Sequence, residues 1–205
     1  MVSVLCFDIT QLETAHWEEL YRKASPERKA RANAYRRSED RCRCLAAEAL
    51  LRYALGTADY TVEKSAHGKP RIAGREDFHY NLSHAGNWVV IAWGPEEVGI
   101  DIEKISWDAG KERLARRFFT ENEQAYVFRE EAHQPQRFFQ IWTGKESYLK
   151  YLGTGLSKAL DSFDVLAMNA PRCRRIPFAE GYSLSLCSRE EAYTLTFLES
   201  AQLLS

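Results

Sequence analysis

Two periodicities of hydrophobic and polar residues run along the chain, one of two residues and one of three to four. Alternating or short continuous apolar runs predict strands at 2–9, 78–83, 88–93, 98–103, 161–168, 182–187 and 193–198. Apolar residues three and four positions apart predict helices at 12–23, 26–55 with a second start near 38, 111–118, 121–134 and 137–152. Since each half runs from a strand through helices to further strands, the pattern predicts an α+β fold of two lobes, residues 1–100 and 101–205.

Capping residues indicate where several of these helices begin or end. Ser25 before Pro26 supplies an N-cap followed by a proline at the first helical position. Thr120 and Glu123 have the spacing of a capping box, and Gly56 is placed to end the helix that precedes it. The buried face of that helix is expected at Leu45, Ala49 and Tyr53.

The strand predicted at 98–103 carries two carboxylates on one face. Because side chains alternate along a strand, Asp101 and Glu103 point the same way, roughly 7 Å apart, and Ile100 and Ile102 point the other way. Like charges this close repel each other unless a cation lies between them. The pair predicts either a site for a hard divalent metal ion or a solvated strand face, and the hexapeptide alone leaves both open.

Composition describes an ordinary globular protein, and the charge adds one local feature. The chain is 45% hydrophobic and 28% charged, and its net charge of −1 does not argue for a nucleic-acid or membrane partner. Residues 22–43, however, hold nine basic residues against three acidic ones. That basic stretch predicts an anionic partner.

The five cysteines are odd in number and scattered, and no pair has the C-x-x-C spacing of a zinc or redox motif. Free thiols in a reducing compartment are therefore expected, and we expect the protein to be cytoplasmic. No apolar run approaches the ~18 residues that a membrane span needs.

Polar residues near a predicted hairpin are candidates for anion binding. The hairpin of strands 78–83 and 88–93 places Asn81, Ser83 and His84 near its tip, where they either donate hydrogen bonds to an anion or cap the turn. The strand at 98–103 is expected to pair beside it. Upstream, Lys69 between Gly68 and Pro70 predicts an exposed turn that presents one cation.

The helix predicted at 137–152 places Trp142, Glu146 and Lys150 on one face. Glu146 and Lys150 have the spacing and order of a surface ion pair, worth only ~0.3–0.5 kcal/mol. On spacing alone, the ion pair is the favoured interpretation, and Trp142 is expected to pack in the core. Gly144 inside this helix indicates either a close approach by a neighbouring group or chance.

Four segments occur in a fixed order between residues 68 and 150. They are Gly68-Lys69-Pro70, Asn81-Leu82-Ser83-His84, Gly99-Ile100-Asp101-Ile102-Glu103 and Trp142-Thr143-Gly144-Lys145-Glu146-Ser147-Tyr148-Leu149-Lys150. Together with Ser25-Pro26-Glu27 and Phe118-Phe119-Thr120-x-x-Glu123, they resemble the 4′-phosphopantetheinyl transferases, specifically the larger, surfactin-synthetase-activating type. The resemblance covers about residues 25–165.

The resemblance implies an enzyme that transfers phosphopantetheine from coenzyme A to a serine hydroxyl of an apo acyl- or peptidyl-carrier protein and releases 3′,5′-ADP. It implies two related lobes with pseudo-twofold symmetry and an active site in the cleft between them. A monomer that uses Mg²⁺ or Mn²⁺ is expected, with coenzyme A as co-substrate and without nucleic-acid or membrane partners. The alternatives are a coenzyme A-binding module without chemistry and a metal-dependent coenzyme A pyrophosphatase.

The resemblance also assigns roles to individual residues. Asp101, Glu103 and Glu146 are expected to hold the metal ion, and Glu146 is expected to act as general base, as ligand or as both. Lys150 is expected beside the reacting phosphate as a catalytic residue. The residues expected to bind coenzyme A are Arg28, Arg31, Arg43, Lys69, Ser83, His84, Asp101 and Lys150. Cys44 stands where members of the family often carry a hydroxyl residue near the adenine, which puts that contact in doubt.

Overall fold

The computed structural model describes residues 1–155 and 158–204, which form an α+β arrangement of nine strands and seven α-helices. The strands are β1 (Val2–Asp8), β2 (Val62–Lys64), β3 (Pro70–Ile72), β4 (His79–Ala85), β5 (Trp88–Gly94), β6 (Val98–Lys104), β7 (Arg172–Ile176), β8 (Tyr182–Ser188) and β9 (Tyr193–Phe197). The helices are α1 (Thr14–Lys23), α2 (Pro26–Ala34), α3 (Ser38–Leu55), α4 (Ala109–Phe118), α5 (Glu121–Phe128), α6 (Gln134–Leu152) and α7 (Ser200–Leu204). Within this described part, none of the helices has the length and hydrophobicity that crossing a membrane requires.

Two main sheets organise the fold. The first has the strand order β4-β5-β1-β9 and the second the order β6-β8-β7, while β2 and β3 form a separate hairpin. Because β9 pairs in parallel with β1, the segment 193–204 returns to the first sheet and packs with its helices. The division of the chain into lobes at residue 100 stays a prediction.

The first sheet is buried on both faces. Leu5 and Phe7 of β1 pack toward the helices α1 to α3, whereas Val4 and Cys6 pack against the second sheet. Ile100 of β6 contributes to the core that the two sheets share. A sheet covered on both sides needs apolar residues at successive positions, which explains the continuous apolar run in β5.

Helix α6 covers the outer face of the second sheet through small side chains. Thr143 and Ser147 are fully buried, and the Thr143 hydroxyl lies 2.7 Å from Ser185 Oγ on β8. A Cβ atom added to Gly99 of β6 would lie 1.9 Å from the Ser147 carbonyl oxygen. The absence of a side chain at Gly99 therefore allows the backbone of α6 to lie directly against β6.

Three predicted helix caps are confirmed, although the helix predicted at 121–134 ends at Phe128. Ser25 Oγ accepts a hydrogen bond from the Arg28 amide at 3.2 Å, and both bonds of the Thr120–Glu123 capping box are present. Gly56 adopts the left-handed conformation with φ = 69° and ends α3. These ends follow from local chemistry that does not depend on the tertiary fold.

Two predictions about the second half are wrong. Residues 161–168 do not form a strand, because the backbone there forms turns. Phe163 and Val165 of this segment pack against the core under α6 as individual side chains. The strand at 98–103 does not pair with the hairpin but with β8. The sequence analysis also missed β7, because its three arginines (Arg172, Arg174 and Arg175) conceal the strand pattern.

The buried face of α3 also differs from the expectation. Leu45 is buried as predicted, but Tyr53 is 42% exposed. Ala46 and Leu50, which are fully buried, mark the centre of the face instead. The helix is therefore rotated from the predicted stripe, and Tyr53 lies at the wall of a pocket of about 590 Å³ beside α7.

Candidate active site

The edges of the two sheets meet through polar side chains of β4. The Ile100 amide donates to Asn81 Oδ1 at 2.9 Å, and the Ile102 amide donates to Ser83 Oγ at 3.3 Å. β4 and β6 are edge strands of different sheets, so these side chains satisfy backbone donors that no neighbouring strand takes. Asn81 and Ser83, two of the three hairpin residues predicted to bind an anion or cap a turn, thus join the two sheets.

A hydrogen-bonded network of Lys150, Asp101 and Ser83 occupies this junction. Lys150 Nζ lies 2.6 Å from Asp101 Oδ1, 3.0 Å from Ser83 Oγ and 3.2 Å from the Ile100 carbonyl oxygen. Ser83 Oγ donates to the same Asp101 oxygen at 2.9 Å. The predicted surface pair of Glu146 with Lys150 is wrong, because Lys150 binds the buried Asp101, where solvent screens the attraction less.

Three carboxylates interact electrostatically with the ammonium group of Lys150. The pKa of Glu103 is raised to about 7. Burial is the largest cause, the negative charge of Asp101 is the next, and the charge of Glu146 adds to the effect. Burial and Asp101 also raise the pKa of Glu146. The charge of Asp101 on β6 therefore raises the pKa of both Glu103 on the same strand and Glu146 on α6.

The donor set fits a hard cation. Asp101 is only 5% exposed, and its Oδ2 atom is buried without a hydrogen-bond partner. An orphaned carboxylate oxygen beside two further carboxylates is what Mg²⁺ or Mn²⁺ would bind. Across the described ranges, no three acidic, histidine or cysteine side chains already have the spacing of metal ligands. The assignment of Asp101, Glu103 and Glu146 to a metal stays a prediction.

A basic pocket of about 740 Å³ lies between α2, α3, the β2–β3 hairpin and β4. The structure brings Arg28, Arg31 and His84 together along its wall, and these are three of the residues to which the resemblance assigned coenzyme A binding. Lys64 adds a fourth potential cation that sequence reasoning missed, because the three-residue strand β2 resembles a polar turn. Cys44 lies in the same wall, 3.8 Å from Arg28 Nη1.

Arg43 supports this pocket from outside its wall. Its guanidinium lies 2.5 Å from Asp40 Oδ1 and donates to the carbonyl of Gly86 in the β4–β5 turn. Burial of the imidazole ring lowers the pKa of His84, and the nearby positive charge of Arg43 lowers it further. In this arrangement Arg43 anchors the turn that follows β4, the strand that carries His84.

Lys69 does not form the exposed cation that its turn predicts. The residue is 8% exposed, and its Nζ atom lies 2.5 Å from Glu97 Oε2 and 3.0 Å from the Tyr151 carbonyl. Its aliphatic stem packs against Gly153, where an added Cβ would meet Lys69 Cδ at 2.9 Å. The prediction of an exposed turn is wrong, because acceptors on two distant segments draw the side chain inward.

A second buried lysine, which sequence reasoning missed, lies next to Glu146 in the chain. Lys145 Nζ is 2.7 Å from Glu123 Oε2, and both side chains are fully buried. The same ammonium donates to the carbonyls of Leu160 and Phe163. It therefore fastens α5 and the 160–163 segment to α6. The ion pair between Lys145 and Glu123 could not be predicted, because the capping box already accounted for Glu123.

Comparisons with known proteins show which family the chain belongs to. Residues 97–198 match the family model of the 4′-phosphopantetheinyl transferase superfamily, and residues 11–96 match that of the 4′-phosphopantetheinyl transferase N-terminal region. The 4′-phosphopantetheinyl transferase Sfp of Bacillus subtilis is 36% identical over 151 residues, which are 69% of this chain and 65% of that protein. The chain therefore spans just under two thirds of Sfp.

Two further relatives extend the comparison. The 4′-phosphopantetheinyl transferase psf-1 of Bacillus pumilus is 33% identical over 196 residues, covering 85% of this chain and 83% of the relative. The human L-aminoadipate-semialdehyde dehydrogenase-phosphopantetheinyl transferase is 29% identical over 176 residues, covering 76% and 57%. The chain therefore belongs to the 4′-phosphopantetheinyl transferase superfamily and is a transferase of this type.

Proposed function

We propose that this protein transfers the 4′-phosphopantetheine moiety of coenzyme A to a serine hydroxyl of an apo acyl- or peptidyl-carrier protein and releases 3′,5′-ADP in a Mg²⁺-dependent reaction. One observation carries the proposal. The basic pocket adjoins the space beside the Lys150–Asp101–Ser83 network, because Gly68 and Pro70 line both the basic pocket and a smaller pocket that Lys150 and Glu146 also line.

The basic pocket suits the nucleotide end of coenzyme A. That molecule carries a 3′-phosphate and a diphosphate, and charge-assisted hydrogen bonds from arginine are the strongest contacts that phosphates find in proteins. Arg28, Arg31 and Lys64 supply positive charge along the wall, and His84 lines the same pocket. We therefore propose that the diphosphate extends from the pocket toward Lys150.

Asp101, Glu103 and Glu146 would hold the divalent ion, Mg²⁺ or Mn²⁺, at the junction of the sheets. When bound, the ion would neutralise the charge of the diphosphate and stabilise the charge that develops on the leaving oxygen. The orphaned Asp101 Oδ2 atom supports this assignment.

The remaining chemistry belongs to two residues of α6. Lys150 is already held at the junction by Ser83 and Asp101, so its ammonium is placed to balance charge on the reacting phosphate. Glu146 lines a second pocket of about 260 Å³ with Lys150 and Asn81. We propose that it accepts the proton of the carrier serine, directly or through water, since a neutral hydroxyl is a weak nucleophile.

The protein is further proposed to act as a cytoplasmic monomer. The described structure contains five free cysteines, three of them buried, which supports a reducing compartment. Analytical ultracentrifugation tests the monomer: sedimentation as a dimer at the assay concentration contradicts it.

Intact-mass spectrometry of an apo carrier tests the proposed function. Carriers of fatty-acid, polyketide, non-ribosomal peptide and aminoadipate type are incubated with the protein, coenzyme A and Mg²⁺. We expect at least one to gain the mass of a single phosphopantetheine. An unchanged mass for all of them contradicts the proposal, and release of free phosphopantetheine without a carrier would indicate a pyrophosphatase instead.

A further inference from the structure

Glu97, in the turn between β5 and β6, collects three basic side chains. Its carboxylate lies 2.5 Å from Lys69 Nζ, contacts the guanidinium of Arg71 and lies 3.3 Å from His79 Nδ1. Of the three, Lys69 is the buried one, and it also donates to the carbonyls of Val98 and Tyr151, each at 3.0 Å. The ammonium thus links β6 to the end of α6.

The two carbonyls that Lys69 binds lie close in sequence to the predicted catalytic residues. Val98 begins β6, three residues before Asp101, and Tyr151 directly follows Lys150 near the C-terminus of α6. A cation at a helix C-terminus is stabilised by the helix dipole and by the unpaired carbonyls there. Lys69 therefore fixes one strand and one helix at points adjacent to their functional side chains.

Lys69 has no donor left for a phosphate. Its three N–H groups donate to Glu97, Val98 and Tyr151, and its side chain is only 6% exposed, whereas Lys150, which also contacts three acceptors, has a side chain that is 29% exposed. Burial lowers the pKa of Lys69, and the Glu97 carboxylate opposes that effect. The geometry therefore disagrees with a direct contact between the Lys69 ammonium and a phosphate of coenzyme A, to which the resemblance assigned Lys69 as a binding residue.

We propose that Lys69 and Glu97 form a positioning pair that holds the end of α6 on β6 and thereby sets Lys150 and Glu146 over Asp101. Glu97 orients the ammonium, and the ammonium holds the two carbonyls. The pair acts through Lys150 and Glu146 without touching the substrate. This inference rests on the proposed transfer reaction, whose rate it concerns.

Three variants and a control test the pair. Lys69→Met keeps the length of the stem and removes the charge, Glu97→Gln removes the partner charge, and the double variant removes both. Arg71→Met is the matched control, because Arg71 shares the Glu97 carboxylate but its side chain is 53% exposed. Assays measure kcat and KM for coenzyme A with a carrier that the wild type modifies, at a temperature where every variant is folded.

We expect kcat to fall at least about tenfold in Lys69→Met and in Glu97→Gln, while KM for coenzyme A stays within about twofold. The double variant should be no slower than the slower single variant, because both changes break one unit. Arg71→Met should keep the wild-type kcat. A tenfold rise in KM in Lys69→Met, with normal kinetics in Glu97→Gln, would overturn the proposal in favour of phosphate binding. An equal loss of kcat in Arg71→Met would overturn it in favour of general destabilisation.

Hydrogen exchange separates this inference from the proposed function. In Lys69→Met and Glu97→Gln, backbone amides of residues 149–153 should exchange faster than in the wild type, and in Arg71→Met they should not. If the wild type modifies no carrier, the proposed function fails, yet this measurement still decides whether the pair holds α6. Unchanged exchange in both variants would overturn the proposal that Lys69 and Glu97 hold α6 on β6.

Discussion

The Gly99→Ala substitution adds one methyl group where β6 and α6 lie in direct contact. The new Cβ would lie 1.9 Å from the Ser147 carbonyl oxygen and 2.4 Å from the Tyr151 amide nitrogen. Ordinary van der Waals contact begins at 3.4 Å. The new Cβ and the Ser147 carbonyl oxygen, 1.9 Å apart, must therefore move about 1.5 Å farther from each other. Both clashing atoms belong to the backbone, so no side-chain rotation relieves them and the helix itself must move.

This movement affects stability and rate differently. Overpacking of a tight interface costs about 1–3 kcal/mol, and each 1 kcal/mol lowers Tm by about 2–4 °C in a chain of this size. Glu146 and Lys150 move with the helix, and a displacement of about 1 Å at a catalytic site costs about 10²-fold in rate. We therefore expect a modest fall in Tm and a large fall in kcat.

Carrier conversion and differential scanning calorimetry measure the two effects. Gly94→Ala is the control, because its added Cβ would lie 3.4 Å from Val2 Cγ2, which is ordinary contact. It should keep both kcat and Tm near the wild-type values. A folded Gly99→Ala protein with wild-type kcat would refute the reasoning, since the close approach of α6 to β6 would then be unnecessary for activity.

Four further predictions address the site and its support. Asp101→Asn should lower kcat at least about 10²-fold without unfolding the chain, as circular dichroism and the conversion assay together would show. Glu123→Gln should lower the free energy of unfolding by about 3–5 kcal/mol in urea titrations, because it leaves Lys145 buried and unpaired; a loss below 1 kcal/mol contradicts this. Arg31→Gln should raise KM for coenzyme A and weaken its salt dependence, and an unchanged KM would place Arg31 outside the binding site. Chelation of divalent ions should stop conversion and added Mg²⁺ should restore it, whereas full activity in chelator contradicts the metal assignment.

Local periodicity was sufficient to predict the parts of the site that lie within one element. The alternation in β6 placed Asp101 and Glu103 on the same face, away from Ile100, and the burial of Ile100 in the shared core confirms that orientation. The capping box at Thr120 was equally predictable. Each of these features depends only on neighbours within a few residues.

The partners of the charged residues could not be predicted from local patterns. Lys150 binds a carboxylate 49 residues away, and Lys69 binds a carbonyl 82 residues away. Spacing on one helix suggested Glu146 as the partner of Lys150, but the tertiary fold provided a more buried acceptor. The pairing of β6 with β8, in place of the hairpin, likewise depends on how the two sheets pack.

The mass of an apo carrier after incubation with coenzyme A and Mg²⁺, measured in parallel for the wild type and for Glu146→Gln, tests the central claim most directly. The account predicts one added phosphopantetheine per carrier with the wild type and an unmodified carrier with the variant. Equal conversion by the two proteins would contradict the claim that the acidic residues of β6 and α6 act together at one site.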